Sequence, residues 1–336
     1  MKLEPKCKDV PLDYLYWLLR TPQYRTYCRS HATGTTNLGL AREDFLAFPA
    51  PEPTAEQLQV VEALTALEEK IELNRRMSET LEWMARALFK SWFVDFDPVR
   101  AKAEGRDPGL PKPLADLFPA RLVDSELGEI PEGWEVGPLL RQARLLSGGT
   151  PRTERSEYWN GDLPWATAKD VSQCGEAFLV QTERSITRKG LEESSTQLIP
   201  SYSSVVVARG ATTGRLAMLG REMAMNQTCY ALTTSIDTPF SLYSQLKHVV
   251  DVLVHAAHGS VFDTITTATF QLSKVVLPPR TMLAAYERAV SPLFLRSLAN
   301  TKQSRALAAL RDALLPRLIS GELRVKDAER IAAGVT

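Results

Sequence analysis

The longest unbroken pattern in the chain runs from Thr54 to Trp92, with neither Pro nor Gly inside it. Apolar or small residues recur at alternating steps of three and four: Leu64, Leu67 and Ile71, then Asn74 and Ser78, then Leu81, Ala85, Leu88 and Trp92. That is a heptad seam, the pattern of a helix that packs along another helix. Such a helix would be roughly 55–60 Å long, and it needs a partner to cover its apolar stripe. Thr54 is placed to cap it, with Gln57 at the third helical position.

The partner is expected in the same chain. Shifting the numbering by 226 carries Pro53 to Pro279, Leu67 to Leu293, Asn74 to Asn300, Ser78 to Ser304, Leu81 to Leu307, Leu88 to Leu314 and Val99 to Val325. The register is imperfect, since Ile71 falls on Ser297 and Ala85 on Arg311. Upstream, a shift of 225 carries Gly34 to Gly259 and Phe45 to Phe270. Each copy therefore reads as a glycine turn, a short strand ending in prolines, and a long helix.

The remaining segments are shorter. Leu12 to Leu18 suits one amphipathic helix, Ser30 to Asn37 a polar glycine loop, and Phe45 to Pro49 a strand. The 96–128 stretch is rich in Pro, Gly and charge and reads as an exposed connector. From Ile130 the texture changes to short strands and turns: a glycine turn at Ser147 to Pro151, strands at Ser204–Ala208 and Leu216–Leu219, a helix from Leu242 to Ala257, and a loop and strand from Gly259 to Thr269. The 326–336 tail reads as frayed.

Composition narrows the class. The 336 residues are 44% hydrophobic and 24% charged, ordinary for a globular chain of more than one domain. No apolar run reaches the length of a membrane span, so no membrane partner is expected. Cys7, Cys28, Cys174 and Cys229 are scattered, which fits a reducing cytoplasm and not a zinc ribbon. His255 and His258 lie three apart with no further ligand beside them, so no metal is expected. Net charge is zero, and residues 129–278 hold 13 Lys and Arg against 15 Asp and Glu. Nucleic-acid binding must then rest on local patches.

Four stretches carry a resemblance. They are GEIPEGWEV at 128–136, GGTPRTERSEYWNGDLPWATAKDVS at 148–172, ARGATTGRLAM at 208–218 followed by Asn226-Gln227, and LLPRLISGELRV at 314–325. Together they resemble the specificity (S) subunit of type I restriction–modification systems. The resemblance implies an α+β chain: a mixed α/β target recognition domain plus two long antiparallel helices forming an intrachain coiled coil, with a partial second recognition domain at the N-terminus. In residues, the expectation is a remnant of the first recognition domain over 1–50, the first long helix over 51–95, a connector over 96–128, the complete recognition domain over 129–278, the second long helix over 279–325, and the tail over 326–336. The first recognition domain departs from the family pattern in being a C-terminal stub. It reads as a truncated copy, a misassigned start, or a natural short form that works with a second S chain.

The same resemblance implies partners and no chemistry of the chain's own. The partners are double-stranded DNA, adenine methyltransferase (M) subunits and a restriction/motor (R) subunit, with S-adenosylmethionine, ATP and Mg on those subunits and no cofactor here. The sequence agrees, because it holds no Asn-Pro-Pro-Tyr/Phe, no cofactor glycine motif, no phosphate-binding G-x-x-x-x-G-K-S/T and no G-x-S-x-G. The competing class is a coiled-coil interaction protein, a decayed subunit that binds M without specifying a site.

Candidate DNA contacts are Gly149, Thr150, Arg152 and Arg155 in the first turn, Arg209, Thr212, Thr213 and Arg215 in the second, and Lys169, with Lys189 weaker still. Glycine lets a backbone approach a phosphate, arginine pairs bidentately with guanine or phosphate, and threonine can meet a thymine methyl. The plainer readings are an ordinary strand-to-strand turn and a solvated hairpin tip. Tyr158, Trp159 and Trp165 read as core, with at least one tryptophan packing under the glycine turn, or as a platform on which DNA bases stack. The helix-pair interface is expected at Leu64, Leu67, Asn74, Leu81, Leu88, Asn300, Leu307 and Leu314. Asn74 and Ser78, with Asn300 and Ser304, form either a register-fixing polar layer or a solvent-facing patch.

Overall fold

The computed structural model describes residues 10–34, 38–256 and 264–320. Gly259, His258, Val325, the 35–37 part of the glycine loop and the 326–336 tail lie outside the described residues, as does the side chain of His255. The chain divides into two compact units. One comprises the described residues of Met1–Arg75 and Lys302–Thr336, the other Arg76–Thr301. The first long helix, Ala55–Phe93, and the second, Arg280–Ser320, each contribute to both. No helix among the described residues is long and apolar enough to cross a membrane.

In the first unit the helix start is fixed by side chains. The Thr54 hydroxyl accepts from the Gln57 N–H at 3.2 Å, and the Gln57 side chain accepts from the Thr54 N–H at 2.9 Å. The two long helices run antiparallel here: Val60, Val61 and Leu64 pack with Leu310, Leu314 and Leu315, while Asn74 donates to Gln303 at 2.9 Å and to Ser304 at 3.3 Å. Helix Leu12–Leu18 closes this core with Tyr14, Trp17 and Leu18, and the Trp17 indole donates to Thr65 at 3.0 Å.

The Phe45–Pro49 strand is a correction. Arg42–Ala47 is a helix, with Glu43 and Asp44 in its first turn, where acidic side chains favour the helix dipole. Phe48 packs on Tyr24 and Tyr27 at 4.9 and 5.0 Å, and prolines 49, 51 and 53 offer no N–H to a ladder. Its counterpart behaves alike where it is described: residues 259–263 lie outside the described residues, 264–269 form no strand, and Thr267–Leu272 is a helix capped by Thr266 and Thr269. The strand comes later, at Lys274–Leu277, paired antiparallel with Glu135–Pro138.

In the second unit the long helices are again antiparallel. Asn300 donates to Ser78 at 3.4 Å, Ser297 to Glu82 at 3.3 Å, and the Tyr286 hydroxyl to the Ala85 carbonyl at 2.9 Å. An aromatic core of Phe89, Trp92, Phe93, Tyr286 and Phe294 fills this end. The 96–128 connector is not simply exposed, as its composition suggested. Phe96, Val99 and Phe118 are buried, Phe118 edge-on to Trp92 at 5.5 Å, and Leu122–Ser125 pairs with Gly128–Pro131. Pro and Gly there mark turns between short packed pieces, which composition alone cannot separate from a linker.

The 129–278 segment is built on a five-stranded sheet in the order Ala143–Ser147, Cys229–Thr234, Ser204–Val207, Leu216–Leu219, Phe178–Leu179, antiparallel except for the last pair. Its central strands are buried on both faces. A three-stranded sheet orders Ala224–Met225, Trp159–Ala166 and Arg184–Ile186. Helix Pro239–Ala256 packs on the larger sheet, and Glu287 of the second long helix holds its start by accepting the Phe240 and Ser241 N–H groups at 3.1 and 2.8 Å.

Candidate nucleic-acid interface

Three turns leave one end of the five-stranded sheet. Ser147 lies opposite Tyr230, Cys229 opposite Val207, and Val206 opposite Leu216. The 148–155, 208–215 and 226–228 segments therefore start at the same level. The first two issue from strands two places apart, about 10 Å at the ordinary spacing of a ladder.

The first turn is held from below. The Gly149 N–H donates to Met225 at 2.9 Å, and its carbonyl accepts the Trp165 indole N–H at 3.0 Å. The Trp159 indole donates to the Arg152 carbonyl at 3.2 Å. Both tryptophans are buried, so their rings are core and their N–H groups fix the turn. Gly149 is needed for a close approach inside the domain: a Cβ there would lie 2.5 Å from the Ser195 hydroxyl and 2.6 Å from the Thr196 nitrogen. Thr150 hydrogen-bonds the Gln227 side chain, so the first and third turns are tied together.

The second turn closes on its own backbone. The Thr213 N–H and hydroxyl donate to the Gly210 carbonyl at 3.0 and 2.7 Å, and the Arg215 N–H donates to Thr212 at 3.1 Å. Gly214 has φ +87°, a conformation that favours glycine, and its N–H donates to Val207 at 2.9 Å. Thr212 and Thr213 are half-buried; Arg209 and Arg215 are exposed. Arg209 also forms an isolated bridge with Thr264.

Charge sorts the expected contacts into two sets. Arg155 lies 3.7 Å from Glu193 and 3.9 Å from Glu157 and bonds the Tyr158 hydroxyl at 2.9 Å. The bond to Glu193 is the main reason the Tyr158 phenol titrates above its ordinary value. Lys169 pairs with Glu183 at 2.6 Å, which raises its pKa, and Lys189 lies 3.9 Å from Glu157. Arg152, Arg209 and Arg215 have no ion-pair partner among the described residues. The Asp170 beside Lys169 works inside the domain: it caps helix Ala168–Gln173 through Thr167 and accepts the Glu183 N–H at 2.8 Å.

One basic residue outside the expected set belongs with these turns. The Arg184 guanidinium stacks on Trp159, 3.6 Å from its ring centre, and lies 5.5 Å from that of Trp165. The available signal was the alternation in Arg184-Ser185-Ile186, which puts Arg184 on the same face as the buried Ile186.

At the helix pair, Leu64, Asn74, Asn300 and Leu314 are buried. Leu67, Leu81, Leu88 and Leu307 are half-buried, and Ala85, Phe89 and Trp92 are the deeper residues near the end of the first long helix.

Comparison with known proteins places the chain. Residues 131–281 match the type I restriction modification DNA specificity domain. The chain is 27% identical to the type I restriction enzyme HindI specificity subunit of Haemophilus influenzae, over 96% of this chain and 80% of that one. It is 24% identical to the MjaIX specificity subunit of Methanocaldococcus jannaschii, over 94% and 70%. In fold it resembles the type I restriction–modification S subunit of M. genitalium, with a TM-score of 0.57 and 15% identity over 92% of this chain and 73% of that one. The chain is thus similar to type I restriction enzyme specificity subunits along most of its length, and its residues 131–281 match their DNA specificity domain.

Proposed function

We propose that residues 129–278 read one half-site of double-stranded DNA and that the paired long helices dock methyltransferase subunits, with the restriction/motor subunit joining the same assembly. One observation carries the DNA reading: the turns at one sheet end bear Arg152, Arg209 and Arg215, each without an ion-pair partner among the described residues. Three such cations on fixed turns suit phosphates and guanine edges, and Thr212 and Gln227 stand beside them as neutral donors. Docking is supported by apolar surface on the long helices within the second unit, where Trp83 is 67% exposed, Met84 42% and Leu295 46%. On this reading the chain performs no reaction; S-adenosylmethionine, ATP and Mg are bound by its partners.

The test is association. The full chain should bind its methyltransferase subunit at micromolar concentration without DNA, and the pair should bind duplex DNA. Binding of the methyltransferase with no DNA affinity would favour the competing reading, a scaffold that specifies no site.

A further inference from the structure

We infer that Arg184 is a DNA-phosphate contact, positioned by stacking on Trp159; the inference rests on the reading of residues 129–278 as DNA-binding. Neighbouring basic residues are already paired: Lys169 with Glu183, Arg188 with Glu192 at 3.8 Å, Lys189 with Glu157. Arg184 has no carboxylate within ion-pair distance and no side-chain hydrogen bond among the described residues, and it is exposed. A surface arginine without a partner is ordinarily free to sample many rotamers. This one is held over an indole, its guanidinium carbon 3.6 Å from the ring centre, while the residue stays exposed.

Its backbone is fixed from both sides. Asp170 accepts the N–H of Glu183, the Thr182 hydroxyl donates to the Arg184 carbonyl at 2.7 Å, and Arg184 pairs in register with Trp165. The same two tryptophans hold the first turn, Trp165 through Gly149 and Trp159 through Arg152. Stack and turn thus share one support, so the cation is held beside the segment assigned to DNA. A planar fork with its donors unsatisfied fits a phosphate oxygen pair.

Binding of the full chain to a short duplex of randomised sequence, measured over a range of salt, tests this. Arg184→Gln should weaken binding about five- to tenfold near physiological salt and reduce the salt slope by about one. Arg184→Lys should keep the slope while binding less tightly, because the charge stays and the stack is lost. Lys169→Gln should match the parent chain. If Arg184→Gln keeps the parent slope while Arg209→Gln lowers it, the Arg184 assignment is overturned and the DNA reading stands. If the parent chain binds no DNA, both are overturned.

Discussion

The Asn300 side chain donates to the Ser78 hydroxyl across the long helices, at 3.4 Å. The 226-residue shift turns that pair into Ser304 and Asn74, and Asn74 donates to Ser304 at 3.3 Å. The same two residue types therefore meet twice with their helices exchanged, as an antiparallel internal repeat requires. Both asparagines are buried, so the solvent-facing reading fails and the contacts define register. Asn300→Ala should cost about 1 kcal/mol of stability in chemical denaturation. Cysteines at 78 and 300, in a chain without its native cysteines, should crosslink; failure in a folded protein would contradict the register.

A second prediction separates the leucines. Leu64 is fully buried, whereas Leu67 is half-buried in the same cluster. Leu64→Ala should cost about 2–5 kcal/mol and Leu67→Ala less than half as much. Equal losses in thermal or urea unfolding would show that the heptad reading, not the observed burial, sets the energetics.

The difference between those leucines marks how far the sequence could be read. Heptad spacing located both helices and their polar residues, because the repeat constrains register twice over. It could not grade burial, which depends on neighbours such as Trp17 and Leu310. The repeat also matched Phe45 with Phe270, and both lie in short helices, although Phe45 was expected in a strand and Phe270 directly after one. Caps and ring contacts decided those segments, against β-like composition. At the candidate interface the arginines were legible as types. Which of them are neutralised was not, because Glu183 and Glu193 reach Lys169 and Arg155 only through the fold. Arg184 was passed over because its contact with Trp159 is likewise made only through the fold.

A third prediction concerns Glu82. Burial holds its carboxyl above the usual range, while the Ala177 N–H at 3.0 Å and Ser297 pull it down. A carboxyl whose pKa rises on folding stabilises the fold when protonated. That contribution is whole below the ordinary carboxylate range and is lost as pH climbs through the folded pKa. Glu82→Gln keeps an acceptor without a buried charge, so its stability should fall less between mildly acidic and neutral pH. A pH dependence identical to the parent chain would refute this. Glu82→Ala leaves the Ala177 N–H unpaired and should cost about 1–3 kcal/mol.

A fourth prediction tests the sorting of charges. Arg209→Gln and Arg215→Gln should each reduce the salt slope of DNA binding by about one. Arg155→Gln should change it little, since Glu157 and Glu193 already share that cation. An equal reduction for all three would mean the ion pairs open on DNA.

The central claim, that the turns at this sheet end choose the DNA sequence, is tested most directly by the methylome. Cells carrying this chain as the sole specificity subunit, with its methyltransferase, should methylate adenine in a defined motif. Replacing Arg209 and Arg215 together by Gln should abolish or change that motif while methyltransferase binding persists. An unchanged motif in the doubly substituted chain would contradict the account.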